Sequence, residues 1–430
     1  MKRRMIVVTG LIGCMLAGSA FSGTLSVRSI SLIRLYELEQ SLGSEEKNFF
    51  APFYQYLDIE FRDIETKGVS VKLNGWGNFQ LADYELDEEG RAILSDLDLN
   101  YAYVDIGNLY GNARVRLGRQ FIYMGVASAE QMDGGQFQIP VVKGKFGKVE
   151  LGGYFGVPTQ YDIDNRSKDF ITGGKLYYVY PGTLSIGFSG LYSTEEGEPD
   201  RGWIGVDLWV EPVKWLEIGG KLYYSILSEG IYDASVLPII KPVSSFQITL
   251  KYMRTVPNEY LGDYSIFPVF TSMDAMTELG GIVSYDVTKK FTLWADFSWF
   301  DYEGGENAYQ YGVFGRYKYG NKLQNSLSGR LRRLESEDVN NAYSEISIFL
   351  KHKLSKPSLE FGLNSVNLIF DHKIGSQRIK YSTEQEIFVG YFFKPNMEVV
   401  GSFVTALYDG DTEYRGIVKL NYEFDSHLVR

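Results

Sequence analysis

From Thr412 to Phe424 apolar and polar side chains take turns. Gly416, Val418, Leu420, Tyr422 and Phe424 fall on one face, and Arg415, Lys419, Asn421 and Glu423 on the other. Successive side chains of a strand point to opposite faces, so this segment predicts a strand with one apolar and one charged face. The same alternation marks twenty segments, the first near 29–39 and the last near 414–424. Two more candidates, 136–142 and 265–270, restore the alternation of long and short connections. Each contains a proline, which cannot donate to a ladder. The expected total is 22 strands, within a range of 16–22. No stretch reaches the ~20 consecutive apolar residues of a membrane helix. Two-faced strands repeated in this way predict an all-β fold: a single transmembrane antiparallel up-and-down β-barrel, with lipid outside and water inside.

The connections follow the same logic, since such barrels have short periplasmic turns and longer outer loops. Tight turns are expected at Pro181-Gly182, Pro212-Val213, Thr288-Lys289-Lys290, Gly320-Asn321-Lys322, Ser355-Lys356-Pro357 and Pro395-Asn396. Long connections are expected at 40–52, 82–95, 158–169, 194–201, 228–244, 334–342 and 371–383, and 123–147 and 256–277 are candidates to fold inward. Tyr309, Tyr311, Val313, Tyr317 and Tyr319 share one face. Ten steps at ~3.3 Å each give ~33 Å, or ~23 Å when tilted by ~45°, which matches the apolar band between two aromatic girdles.

With the apolar parity facing lipid, the other parity lines the interior. Candidate lumen residues are Asp58, Glu60, Arg62, Lys72, Asp96, Asp98, Arg114, Arg116, Arg316, Lys318, Arg330 and Arg332. A cationic side chain on the lipid face at the midplane costs ~2–4 kcal/mol, whereas one in a water-filled lumen costs little. The acidic segment 96–105 beside the basic segment 113–122 suggests cross-strand ion pairs or, alternatively, a transverse field. Leu97, Leu99, Tyr101 and Tyr103 are expected to face lipid. Arg119 breaks parity with Val115 and Leu117, which predicts snorkelling or a bulge.

The ends place the chain. Lys2, Arg3 and Arg4 precede an apolar run, and Ala20-Phe21-Ser22 supplies small residues, so residues 1–22 read as a cleaved signal peptide and 23–430 as one barrel domain. Leu11-Ile12-Gly13-Cys14 offers a competing lipoprotein site. Cys14 is the sole cysteine, so its loss with the signal removes any disulfide, thiolate metal site or covalent c-type haem. Removing Lys2, Arg3 and Arg4 moves the net charge from −11 to −14, which argues against nucleic acid. The expected location is the outer membrane of a Gram-negative bacterium, against lipid and lipopolysaccharide.

Leu117-Gly118-Arg119-Gln120, then Gly125 and Asp133-Gly134, resembles a stretch of Gram-negative outer-membrane porins, including the alginate-export type of barrel. The chain departs from that pattern by ending in Asp425–Arg430 beyond Phe424, rather than on a terminal aromatic. The resemblance implies a porin-like barrel and carries no site residue to a particular solute.

Function follows as an expectation: a channel for small polar or charged solutes. The alternative is a barrel sheathing a partner protein, such as a multihaem cytochrome in an electron conduit. An enzyme is disfavoured. His352, His372 and His427 are the only histidines, and none is tied to a nucleophile or acid by a motif. No spacing points to catalytic, metal or cofactor-binding residues.

Overall fold

The computed structural model describes residues 23–39, 47–64, 68–81, 97–159, 168–256, 275–303, 307–337, 342–354, 358–374, 379–408 and 411–428. The signal segment 1–22, Asp96 and the candidate strand 265–270 lie outside them. Each strand pairs antiparallel with the next in sequence, from Pro52–Arg62 on Val69–Gln80 to Met397–Tyr408 on Asp411–Leu428. Asp411–Leu428 then pairs with Gly23–Glu39, in register from Gly23↔Leu428 to Tyr36↔Arg415, and closes the cylinder. The short segment Lys47–Phe50 and Pro52–Arg62 both lie on Gly23–Glu39 and act as one wall strand interrupted at Ala51, so the 23 segments make a closed wall of 22 strands. Among the described residues no helix is long and apolar enough to cross a membrane.

The total of 22 agrees with expectation, but one member differs. Residues 228–244, expected as a connection, contain the strand Gly230–Val243. Pro238 and Pro242 hid it. The structure tolerates Pro238 because the ladder to Phe246–Thr255 skips from Val236↔Tyr252 to Ile239↔Thr249 at that point. The candidate at 136–142 is part of the strand Ala127–Gly144. No strand stands in the wall between Phe246–Thr255 and Met276–Thr288, because these two pair directly. Two connections also move. Strand Glu198–Val213 runs through Pro212 to a turn at Lys214-Trp215, and 194–201 shrinks to the turn Glu196-Gly197.

The strand ends that flank the longest connections, Gln80 and Leu97, Pro158 and Ile171, Thr255 and Met276, all fall at one end of the cylinder. The opposite end carries the turns Lys145-Phe146, Lys214-Trp215, Ser244-Ser245, Lys289-Lys290 and Pro395-Asn396, together with Gly23 and Leu428. Outer-membrane barrels carry their short turns at the periplasmic end. Apolar side chains stand out from one face: Leu250 (46 % exposed), Phe297 (50 %), Val313 (53 %), Leu331 (55 %) and Ile387 (59 %). Such exposure is costly in water and favourable in hydrocarbon. At the short-turn end His352 sits on this face, with its ring against Phe361 and its Nδ1 3.1 Å from the Tyr319 hydroxyl. It belongs to an aromatic girdle.

Candidate functional site

Strands Ala113–Met124 and Ala127–Gly144 begin in the wall and leave it. The ladder to Leu97–Leu109 stops at Ala102↔Arg119, and the ladder to Gly147–Pro158 reaches Met132↔Pro158. From Gln120 to Gln131 the two strands pair with each other as a hairpin. The cause is visible in the neighbouring strand. Asn74 pairs with Tyr101 but Gly75 with Leu99, so Asn100 is an extra residue, a β-bulge. Above the bulge the faces of Leu97–Leu109 are reversed, and a partner in register with Ala102 no longer matches apolar to apolar.

The tip of the hairpin reaches strands that stand three and more places further along the wall. The Val126 amide donates to Ser189 Oγ at 3.0 Å, and Arg201 Nη1 donates to Glu130 Oε1 at 2.6 Å. Gly125 (φ +63°) is required, because a Cβ there would overlap the Ser189 side chain. Only the concave side of a closed wall allows such a chord, so the face bearing Ser189, Gly205 and Asp207 is the interior. Ile122, Met124, Val126 and Met132 from the hairpin pack with Ile171, Leu191, Trp203, Tyr223 and Tyr232 from the wall, all nearly inaccessible. Burial of apolar side chains at ~25 cal/mol per Å2 holds the hairpin inside near the long-loop end. The segment 123–147 is one of the two candidates to fold inward. Its first part does so as a hairpin, and the rest stays in the wall.

The same bulge corrects the expected faces. Tyr101 and Tyr103 point inward, not to lipid, paired with Asn74 and Lys72. Tyr101 donates to Asp58 Oδ2 at 3.1 Å, and the Arg116 guanidinium lies 4.3 Å from the Tyr103 ring centroid. Arg119 and Asp133 remain on the outward face as a bidentate pair, at 2.8 and 2.9 Å. Arg119 Nη1 also reaches the Leu99 carbonyl at 3.4 Å, and the Gln131 amide donates to the Asn100 carbonyl. These side chains occupy backbone acceptors that the departing strand leaves open.

The other candidate residues divide into two groups. Glu60 accepts from Lys72 at 2.9 Å, with Arg62 at 3.7 Å. Asp105, nearly buried, takes both Arg114 (2.5 Å) and Arg116 (3.0 Å). Asp98 accepts from the Leu99 amide. The acidic partner of the two arginines is therefore Asp105, brought into range by the bulge. Further pairs lie on the same face: Lys175 with Asp207 (2.7 Å), Lys221 with Asp233 and Lys251 with Glu278 (2.5 Å). Lys175, Asp207 and Arg201 stand at alternate polar positions of apolar strands, so the two-face pattern contained them.

Arg316, Lys318, Arg330 and Arg332 are placed differently. Arg316 lies 5.5 Å from the Trp294 ring and 5.4 Å from Phe314, and Arg330 lies 5.5 Å from Phe314. Arg330 and Arg332 share the single carboxylate of Glu345 at 3.6 and 3.7 Å. Among the described residues no carboxylate pairs with Arg316 or Lys318. Both line a cavity of about 460 Å3 with Arg330, Ser326, Ser328 and Phe349, at the short-turn end.

No family model and no curated protein matches the chain. Solved structures do. The E. coli P pilus tip assembly intermediate PapC-PapD-PapK-PapG is matched over 95% of this chain and 61% of that one, with 7% identity and a TM-score of 0.54. OccAB4 of Acinetobacter baumannii is matched over 95% of this chain and 100% of that one, with 10% identity and a TM-score of 0.45. A BenF-like porin from Pseudomonas fluorescens is matched over 94% and 99%, with 10% identity and a TM-score of 0.41. Of these three only the pilus assembly exceeds 0.5, and at such identities the likeness is one of backbone fold: the chain folds as an outer-membrane β-barrel.

Proposed function

We propose that the chain is a porin-like channel in the Gram-negative outer membrane, passing small polar or charged solutes through a charged interior. The observation that carries this reading is the pairing of a closed wall with a polar inner face. Ions of both signs lie along that face, while Leu250, Phe297, Val313, Leu331 and Ile387 stand outside. The hairpin Gln120–Gln131 narrows the bore near the long-loop end. A sheath around a partner protein would need that space free, which favours the channel over the sleeve.

The test is conductance in planar bilayers. Purified, refolded protein is expected to give discrete current steps. Weakening the hairpin's hold by Arg201→Ala is expected to raise the step size, because Glu130 loses its partner. A barrel that inserts, shifts in gel mobility on heating and passes no current contradicts the reading.

A further inference from the structure

We propose that the cavity around Arg316, Lys318 and Arg330 is a subsite for a small multivalent oxyanion of the phosphate type. This deepens the channel reading and rests on it for its place in a solute path. Many cations elsewhere on the inner face are matched by a carboxylate: Lys72 by Glu60, Arg114 and Arg116 by Asp105, Lys175 by Asp207, Lys251 by Glu278. Among the described residues Arg316 and Lys318 are not. Arg316 is held by the faces of Trp294 and Phe314. An aromatic face orients a guanidinium through its ring quadrupole and takes none of its edge N–H donors. The donors stay available while the side chain stays ordered, so less conformational entropy is lost when an anion arrives.

Charge and shape select the ligand. Arg316 and Lys318 supply two cations with no carboxylate partner among the described residues, and Arg330 shares Glu345 with Arg332. The register sets them around one point. Arg316 pairs with Ser328, Lys318 with Ser326 and Phe314 with Arg330, so two hydroxyls stand between the cations. A lone carboxylate is satisfied by one planar guanidinium fork. Two guanidinia, an ammonium acting as a point charge and two hydroxyl donors, spread over two strands, suit a tetrahedral group carrying about two negative charges. The cavity of about 460 Å3 exceeds what inorganic phosphate alone needs and leaves room for a small organic substituent. Its Phe349 wall suits an apolar part.

The experiment uses inorganic phosphate as probe on the full-length refolded barrel, in two arms. Calorimetric titration in detergent reads binding without requiring conduction. Chloride current through single channels, with phosphate or acetate added on the short-turn side, reads occupancy of the path. Expected results are heat of binding for phosphate, current block by phosphate and not by acetate at equal ionic strength, and a loss of affinity of roughly tenfold or more in Arg316→Gln, from one charge-assisted hydrogen bond. Lys318→Gln is expected to act similarly, and Lys241→Gln, whose amine pairs with Glu217 at 2.6 Å, is expected to change nothing. Absence of phosphate binding, equal block by acetate, or unchanged affinity in both Arg316→Gln and Lys318→Gln overturns the subsite. Binding without any current leaves the subsite standing and sinks the channel reading instead.

Discussion

Placing an arginine at Val313 would put a charge into lipid. Val313 projects from the outer face, 53 % exposed, in the strand Asn307–Tyr319. It lies four residues from Tyr309 at the long-loop end. Four steps at ~3.3 Å give ~13 Å along the strand, or ~9 Å along the membrane normal at a tilt of ~45°, inside an apolar band ~25 Å tall. Val313→Arg therefore sets a guanidinium near the middle of the hydrocarbon, at a cost of ~2–4 kcal/mol. At 1.4 kcal/mol per factor of ten, the folding equilibrium falls roughly 30- to 700-fold. Gln310→Arg is the control. Gln310 is on the inner face and donates to Asp296 Oδ2 at 3.3 Å, so an arginine there meets a carboxylate. Its effect should stay within about 1 kcal/mol. The assay is denaturant titration of folding into lipid vesicles, followed by tryptophan fluorescence and by gel mobility before and after heating. Equal destabilisation by the two substitutions, or a larger effect from Gln310→Arg, refutes the assignment of faces.

Other consequences concern particular contacts. Arg119→Ala removes the bidentate ion pair to Asp133 on the outer face and should destabilise the folded barrel by roughly 1–3 kcal/mol, measured by the same titration. Restoring an apolar pair, Arg119→Met with Asp133→Leu, should recover most of that loss. Asp105→Asn strips Arg114 and Arg116 of their shared carboxylate and should cost about 1–3 kcal/mol, again in denaturant titration. Gly125→Val cannot keep the hairpin tip on Ser189, where even a Cβ overlaps. Single-channel conductance should rise as it does for Arg201→Ala, with the heat shift on gels unchanged.

Much of the wall was legible because its rule is local. In Asn307–Tyr319 each residue's face follows from its parity, and Tyr309, Tyr311, Val313 and Tyr317 stand outward as the pattern requires. Parity fails where the chain adds one residue. Nothing in Leu97-Asp98-Leu99-Asn100-Tyr101 announces the bulge at Asn100, since register is fixed by the partner strand Val69–Gln80. The same insertion turns Tyr101, Tyr103 and Asp105 inward and sends Gln120–Gln131 across the bore. Arg119 was the one sequence signal of this, an outward charge with no reason to be there until Asp133 and the Leu99 carbonyl come into reach. Gly230–Val243 was hidden for a different reason. Proline is excluded from a complete ladder but not from one that skips a pair, and a single strand read alone does not show which bonds its neighbour omits. That no carboxylate among the described residues pairs with Arg316 or Lys318 depends on which side chains the adjoining strands bring alongside, and alternation says nothing of that.

Thiol accessibility along Asn307–Tyr319 tests the two-faced wall most directly. Cys14 is the only cysteine, so a Cys14→Ser background gives single-cysteine variants at will. In lipid vesicles a charged, water-soluble maleimide should label cysteines at 310, 314, 316 and 318 and spare those at 311, 313 and 317. Uniform labelling along the strand, or labelling in the opposite phase, would contradict the aqueous bore and the lipid-facing exterior.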